Sequence, residues 1–139
     1  MPRPWLTILT ITAACLIGCA DKNADIRGSV RGRVTLDGSP LATGGITFEP
    51  TKGTRGPKAG GEIVNGGVTI TTANGPAIGT NLVRVSSLQP TGKKVPGGLT
   101  GELIDELAEI VPKHYNTDTT LKVEIKKGRN DLSFDLKSK

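Results

Sequence analysis

The chain has 139 residues with 18 basic and 13 acidic side chains, a formal net charge of +5. Hydrophobic residues make up 35% and aromatics 3%, and its 19 glycines and 9 prolines give about a fifth of the sequence to turn formers. Such a chain has the size of one domain. It is too rich in Gly and Pro for a helical bundle, too rich in Val, Ile and Leu for wholesale disorder, and too poor in rings for stacking platforms.

Arg3 precedes an apolar run from Trp5 to Ile17 that ends at Gly18-Cys19-Ala20. A basic start, a run too short to span a bilayer comfortably and a small residue before a break mark an export signal. Leu16-Ile17-Gly18-Cys19 resembles the lipobox of bacterial lipoprotein precursors. That resemblance implies cleavage before Cys19, a diacylglyceryl group on its thiol and an acyl chain on its amine. Residues 1–18 are then a signal peptide, and Cys19 is the lipidation site. Each buried CH₂ contributes about 0.8 kcal/mol, so two or more chains hold a protein firmly on a membrane without crossing it. Cys15 would leave with the signal, and no disulfide is expected in the mature chain. Without Arg3, 17 basic and 13 acidic side chains remain over residues 19–139, a balance of +4 that mildly attracts anionic headgroups.

Residues 19–28 read as the lipidated Cys followed by a polar tether, and residues 29–139 as the folded domain. Val30 to Leu36 alternates apolar or small side chains with Arg31, Arg33 and Thr35, and Asp37-Gly38-Ser39-Pro40 turns the chain. A second strand runs about 45–49, with Ile46 and Phe48 on one face and Pro50 closing it. Residues 51–61 read as a cationic Gly-rich loop. Asn65-Gly66-Gly67 between residues 62–64 and 68–71 is the strongest hairpin signal. Residues 80–86 give a strand with Val83 and Val85 inward, and residues 87–99 a second Gly/Pro/Lys loop.

The spacing of Leu103, Leu107 and Ile110, joined by Ile104 and Val111, predicts one short helix over about 100–111, capped by Thr100 and stopped by Pro112. Leu121, Val123 and Ile125 alternate with polar residues, as do Leu132, Phe134 and Leu136 after the turn at Lys127-Gly128-Arg129-Asn130. About seven short strands at roughly ten-residue spacing predict an all-β antiparallel sandwich, Ig-like in architecture, with the helix in a loop before the last two strands.

The run Gly32-Arg33-Val34-Thr35-Leu36-Asp37-Gly38-Ser39-Pro40-Leu41, followed by Gly44-Gly45-Ile46-Thr47-Phe48-Glu49-Pro50, resembles the transthyretin-like or carboxypeptidase regulatory-like β-sandwich of small bacterial lipoproteins. Ile63 to Gly67, Gly79 to Val85 and Pro112 to Ile125 extend the likeness over about residues 29–136. Val68 stands where that pattern often has Tyr, and Asn81 where it often has an aromatic or His. These motifs are turns and core positions, so the resemblance implies a fold and no activity.

Candidate reactive groups are sparse. His114 is the sole histidine and lacks the convergent partners that metal or nucleophilic sites need. Glu102, Asp105, Glu106 and Glu109 read as the solvated face of the helix, and Asp131 and Asp135 as polar positions of a strand. Lys52, Arg55, Lys58, Lys93 and Lys94 lie on two loops that could approach each other. No catalytic, cofactor-binding or metal residue is predicted, and nucleic acid is not an expected partner.

The expected function is that of a non-enzymatic lipoprotein, exported and held by its lipid on a bacterial membrane, facing the periplasm or cell surface. It would serve as a structural or protein-interaction module with an unknown envelope protein as partner. The alternative is a module that binds glycans or envelope polymers, with weak contact to anionic polymers. A hydrolase would need a nucleophile–base pair that the sequence does not assemble.

Overall fold

A computed structural model describes residues 26–139. The expected signal peptide at 1–18, Cys15, Cys19 and the tether as far as residue 25 lie outside the described residues. Ten strands follow: β1 Gly28–Leu36, β2 Ser39–Pro40, β3 Thr43–Pro50, β4 Ala59–Val64, β5 Gly67–Ile70, β6 Gly79–Ser86, β7 Leu88–Gly97, β8 Glu102–Glu109, β9 Lys122–Ile125 and β10 Gly128–Leu136. Two short 3₁₀ turns, Thr72–Asn74 and Lys113–Tyr115, interrupt them.

Eight strands form one hydrogen-bonded path, β10-β1-β5-β4-β3-β6-β9, with β2 attached to β1. The path folds over between β5 and β4, which pair only at Val64 and Gly67. The result is two layers, β10-β1-β5 facing β4-β3-β6-β9. Val30, Val34, Val68, Ile70, Phe134 and Leu136 of one layer share a single core with Ile46, Phe48, Ile63, Val83, Val85 and Ile125 of the other. Each such side chain contributes about 1.5–3 kcal/mol on burial. The period-2 pattern therefore dictates both which residues are inside and how the layers close.

Turn chemistry sets the registers. Asn65 and Gly66 have φ of 49° and 77°, and Asp37 and Gly38 have φ of 51° and 86°. Two successive positive φ values define the tight turn whose twist matches a hairpin, which explains the Asn-Gly and Asp-Gly dipeptides. The corner between β9 and β10 is held by Asn130, whose Nδ2 donates to Lys126 O at 2.9 Å while its Oδ1 accepts from Lys126 N at 2.9 Å.

The all-β sandwich matches the sequence expectation, with three differences. The first and last strands pair in parallel, from Gly28 opposite Gly128 to Leu36 opposite Leu136, whereas the other strand pairs run antiparallel. The loop after β3 is shorter than residues 51–61, because β4 begins at Ala59 to place that side chain in the interior. Most important, the expected helix over 100–111 is a strand. β8 pairs with β7, which itself occupies most of the expected loop at 87–99. Gly98 and Gly101, at φ of 64° and 70°, turn the chain between them. Helix propensities differ by less than about 1 kcal/mol per residue for ordinary side chains, and cross-strand pairing with Lys94 to Gly97 outweighs them.

Candidate functional site

β7 and β8 form a two-stranded sheet of their own, whose backbone ladder joins no other strand. They make an arm that leaves the sandwich at Ser87 and rejoins it at Val111. Its position is fixed by the strand directions. The described chain enters beside the start of β6, where Arg27 bridges to Ala77 and Gly28 N donates to Pro76 O at 3.0 Å. The arm leaves from the opposite end of β6, so it sits at the far end of the sandwich from residue 26.

Isolated two-stranded sheets bury little, and this one is unusually apolar for its exposure. Leu103, Ile104 and Leu107 are 62%, 52% and 54% exposed, and Leu99 at the tip is fully exposed. Alternation puts Leu103 and Leu107 with Pro90 and Pro96 on one face, around an ion pair in which Lys94 Nζ lies 2.7 Å from Asp105 Oδ1. Ile104 and Val95 share the other face with Glu106, whose carboxylate accepts from Thr91 Oγ1 at 2.6 Å. Apolar groups on both faces and unpaired backbone on both edges are features of a surface that meets another molecule.

The root of the arm is built around Glu109. Its Oε1 accepts from the amides of Ser87 at 2.7 Å and Val111 at 2.9 Å, and its Oε2 from Ser86 Oγ at 2.6 Å and Asn116 Nδ2 at 3.2 Å. Burial pushes this carboxyl up, but the bonds from Ser86, Ser87 and Val111 outweigh it and hold the group below its ordinary value of 4.5. Ser87 Oγ donates to Thr43 O at 2.6 Å, which ties the same root to β3. Beside the root, Leu36, Pro40, Leu41, Ala42 and Ile110 line a shallow groove of about 300 Å³. On the other flank of Ile110, a hollow of about 570 Å³ is edged by Glu109, Pro112, Lys113 and Asn116.

The residues weighed from sequence do not converge. His114 is exposed, and its ring lies 4.1 Å from that of Tyr115, whose hydroxyl accepts from Lys137 N at 3.3 Å. Asp131 pairs with Arg129 at 3.0 Å, and Asp135 accepts from Thr35 Oγ1 at 2.7 Å. The four acids assigned to a helix lie on β8, where Glu109 is exposed and also serves as a clamp. The cations of the two loops do not meet. Lys52 and Arg55 belong to the segment anchored at the start of β6, where Thr51 N donates to Thr80 O at 3.0 Å, whereas Lys93 and Lys94 are on the arm. Lys58 instead pairs with Glu49, 3.0 Å away, which Arg84 also holds at 3.2 Å. Phe48 and Phe134 are buried and Tyr115 packs against the core, so no ring among them stands free to stack on a sugar. Among the described residues no group of three or more His, Cys, Asp or Glu is placed to hold a metal ion. Among the same residues no helix is long and apolar enough to cross a membrane.

The arm itself is what sequence reasoning missed. Pro90 and Pro96 forbid a helix before it, Gly97-Gly98 and Gly101 mark a turn, and the adjacent Leu103-Ile104 pair puts apolar groups on both faces of a strand. Together these signals describe a hairpin.

No family model matches the chain, and no curated protein does. Among solved structures, the chain is similar over 84% of its length to 17% of a 9R-lipoxygenase from Cyanothece PCC8801, at 12% identity and a TM-score of 0.40. The strand topology defines an all-β sandwich with a projecting arm.

Proposed function

We propose that the protein is a non-enzymatic, lipid-anchored module of the bacterial cell envelope that binds a protein partner through the β7–β8 arm. The lipobox-like Leu16 to Cys19 supports the anchor. The observation that carries the binding role is the exposure of Leu99, Leu103, Ile104 and Leu107 on a hairpin with both edges unpaired. The arm also stands at the end of the sandwich remote from residue 26, so a protein held by its N-terminal side would present the arm away from the membrane. A carboxylate held ionised by four donors, as in Glu109, is a poor general acid.

Metabolic labelling with a palmitate analogue tests the anchor: the native chain should take up label and Cys19→Ala should not. A photo-crosslinking residue at position 103 in intact cells tests the binding role. It should give discrete protein adducts that disappear when Leu107 and Leu99 are both replaced by Ser. Adducts that are absent, or that survive those replacements, would contradict the assignment of the arm.

A further inference from the structure

Charge is distributed unevenly. The arm carries Lys93 and Lys94 against Glu102, Asp105, Glu106 and Glu109, a balance of −2, while the other described residues hold 14 cations and 7 acids, a balance of +7. The body of this chain is therefore the electrostatic complement of its own arm. The complement is local as well. Ser138 N donates to Asp37 Oδ1 at 2.9 Å, and Lys137 and Lys139 on either side act on the Asp37 carboxyl. Those two lysines thus flank the turn between Leu36 and Pro40, two residues of the apolar groove at the arm's root, and Ser138 between them lines the hollow on the other flank of Ile110. At the other end of the arm, the fully exposed Leu99 stands three residues from Glu102.

We propose that the arm docks on a second copy of this chain: the two arms lie antiparallel, and Leu99 of each seats in the groove lined by Leu36, Pro40, Leu41 and Ile110 of the other. Glu102 then faces Lys137 and Lys139. A ten-residue strand at about 3.3 Å per residue is about 33 Å long, so a tip laid antiparallel reaches the root of the other arm.

The edges of the arm favour packing through faces over merging into one sheet. Two β8 strands related by a two-fold axis, with Glu102 opposite Glu109, also set Asp105 opposite Glu106, so every acid of the strand meets an acid. On β7, Pro90 and Pro96 lack the N–H groups that pairing needs.

This inference rests on the arm being the contact surface, and the experiment separates the two. Two differently tagged copies of the full chain are co-expressed, one with Leu99→Cys and the other with Ala42→Cys, and mixed-tag disulfides are read in native membranes. A pair with Leu99→Cys and Thr69→Cys, on the outer face of β5, is the control.

We expect the 99–42 pair to crosslink at least tenfold more than the control. Glu102→Lys alone, or Lys137→Glu with Lys139→Glu, should lower the yield at least fivefold, and all three substitutions together should restore it. Unchanged melting curves for each variant keep folding out of the reading. Equal crosslinking of the control, or failure of the charge exchange to rescue, would overturn the inference. So would a monomer whose position 99 reacts with a different protein or attaches to vesicles without one. The different-protein outcome would leave the binding role of the arm standing, whereas loss of every arm-dependent contact would end both.

Discussion

Replacing Glu109 by Ala should loosen the arm without unfolding the sandwich. The substitution removes the acceptor of the Ser87 and Val111 amides, and both of those residues are buried. An orphaned buried amide costs about 1–3 kcal/mol. The carboxylate side of the root is open to water, which repairs part of the loss, so the lower end applies and the pair costs about 2 kcal/mol. At 1.4 kcal/mol per factor of ten, that raises opening of the root about 30-fold. Glu109→Gln keeps one carbonyl oxygen in place and should cost about half as much.

The assay is amide hydrogen exchange. Protection at Ser87, Ile110 and Val111 and along β7 and β8 should fall, while β1, β3 and β6 keep theirs. The pH dependence has a definite sign. The folded carboxyl titrates below its ordinary 4.5, so its contribution is complete above that value and is lost as the pH falls through the folded pKa. Protection of the root should therefore drop in acid in the native chain and stay flat in Glu109→Gln. Equal exchange in all three proteins, or an identical acid response with and without the carboxyl, would refute the clamp.

Three other outcomes check the remaining structure. Gly61→Ala should destabilise by about 1–3 kcal/mol in a thermal melt through overpacking, because a Cβ there would meet Ile70 Cγ1 at 2.8 Å and Val68 Cγ2 at 3.0 Å. Phe48→Ala should cost about 3–5 kcal/mol in urea unfolding, since the ring is fully buried between the layers. Leu103→Ser with Leu107→Ser should move the unfolding midpoint by no more than about 0.5 kcal/mol each, as exposed substitutions do, yet abolish arm-dependent crosslinks in cells.

Much of the sandwich is legible in the sequence because its signals are local and agree with one another. Val30 and Val34, Ile46 and Phe48, Val83 and Val85, and Leu132, Phe134 and Leu136 announce an inward face by alternation alone. Asn65-Gly66 and Asp37-Gly38 announce their turns by composition. The parallel joining of β1 to β10 is not legible, because no local pattern records which distant strand lies alongside. The arm is misread for a different reason. Leu103, Leu107 and Ile110 satisfy the helical period, and the residues that oppose a helix, Pro90 and Pro96, sit on the opposite strand, outside the window in which the period is counted. Glu109 is concealed as well, since nothing in the row Glu102, Asp105, Glu106 and Glu109 distinguishes the one acid that folds back onto two backbone amides from three that face solvent.

The in-register alignment of β1 with β10 has a mechanical consequence. A pull between residue 26 and the arm acts along the strands, because those two points stand at opposite ends of the sandwich. β1 is flanked by β10 over Gly28 to Leu36 and by β5 over Val30 to Arg33, so the tension is shared by both ladders at once. Bonds loaded side by side in shear must yield together, whereas a hairpin peeled from its tip yields one rung at a time. The sandwich is thus built to resist lengthwise force, and the arm, paired only with itself, is the part that gives first.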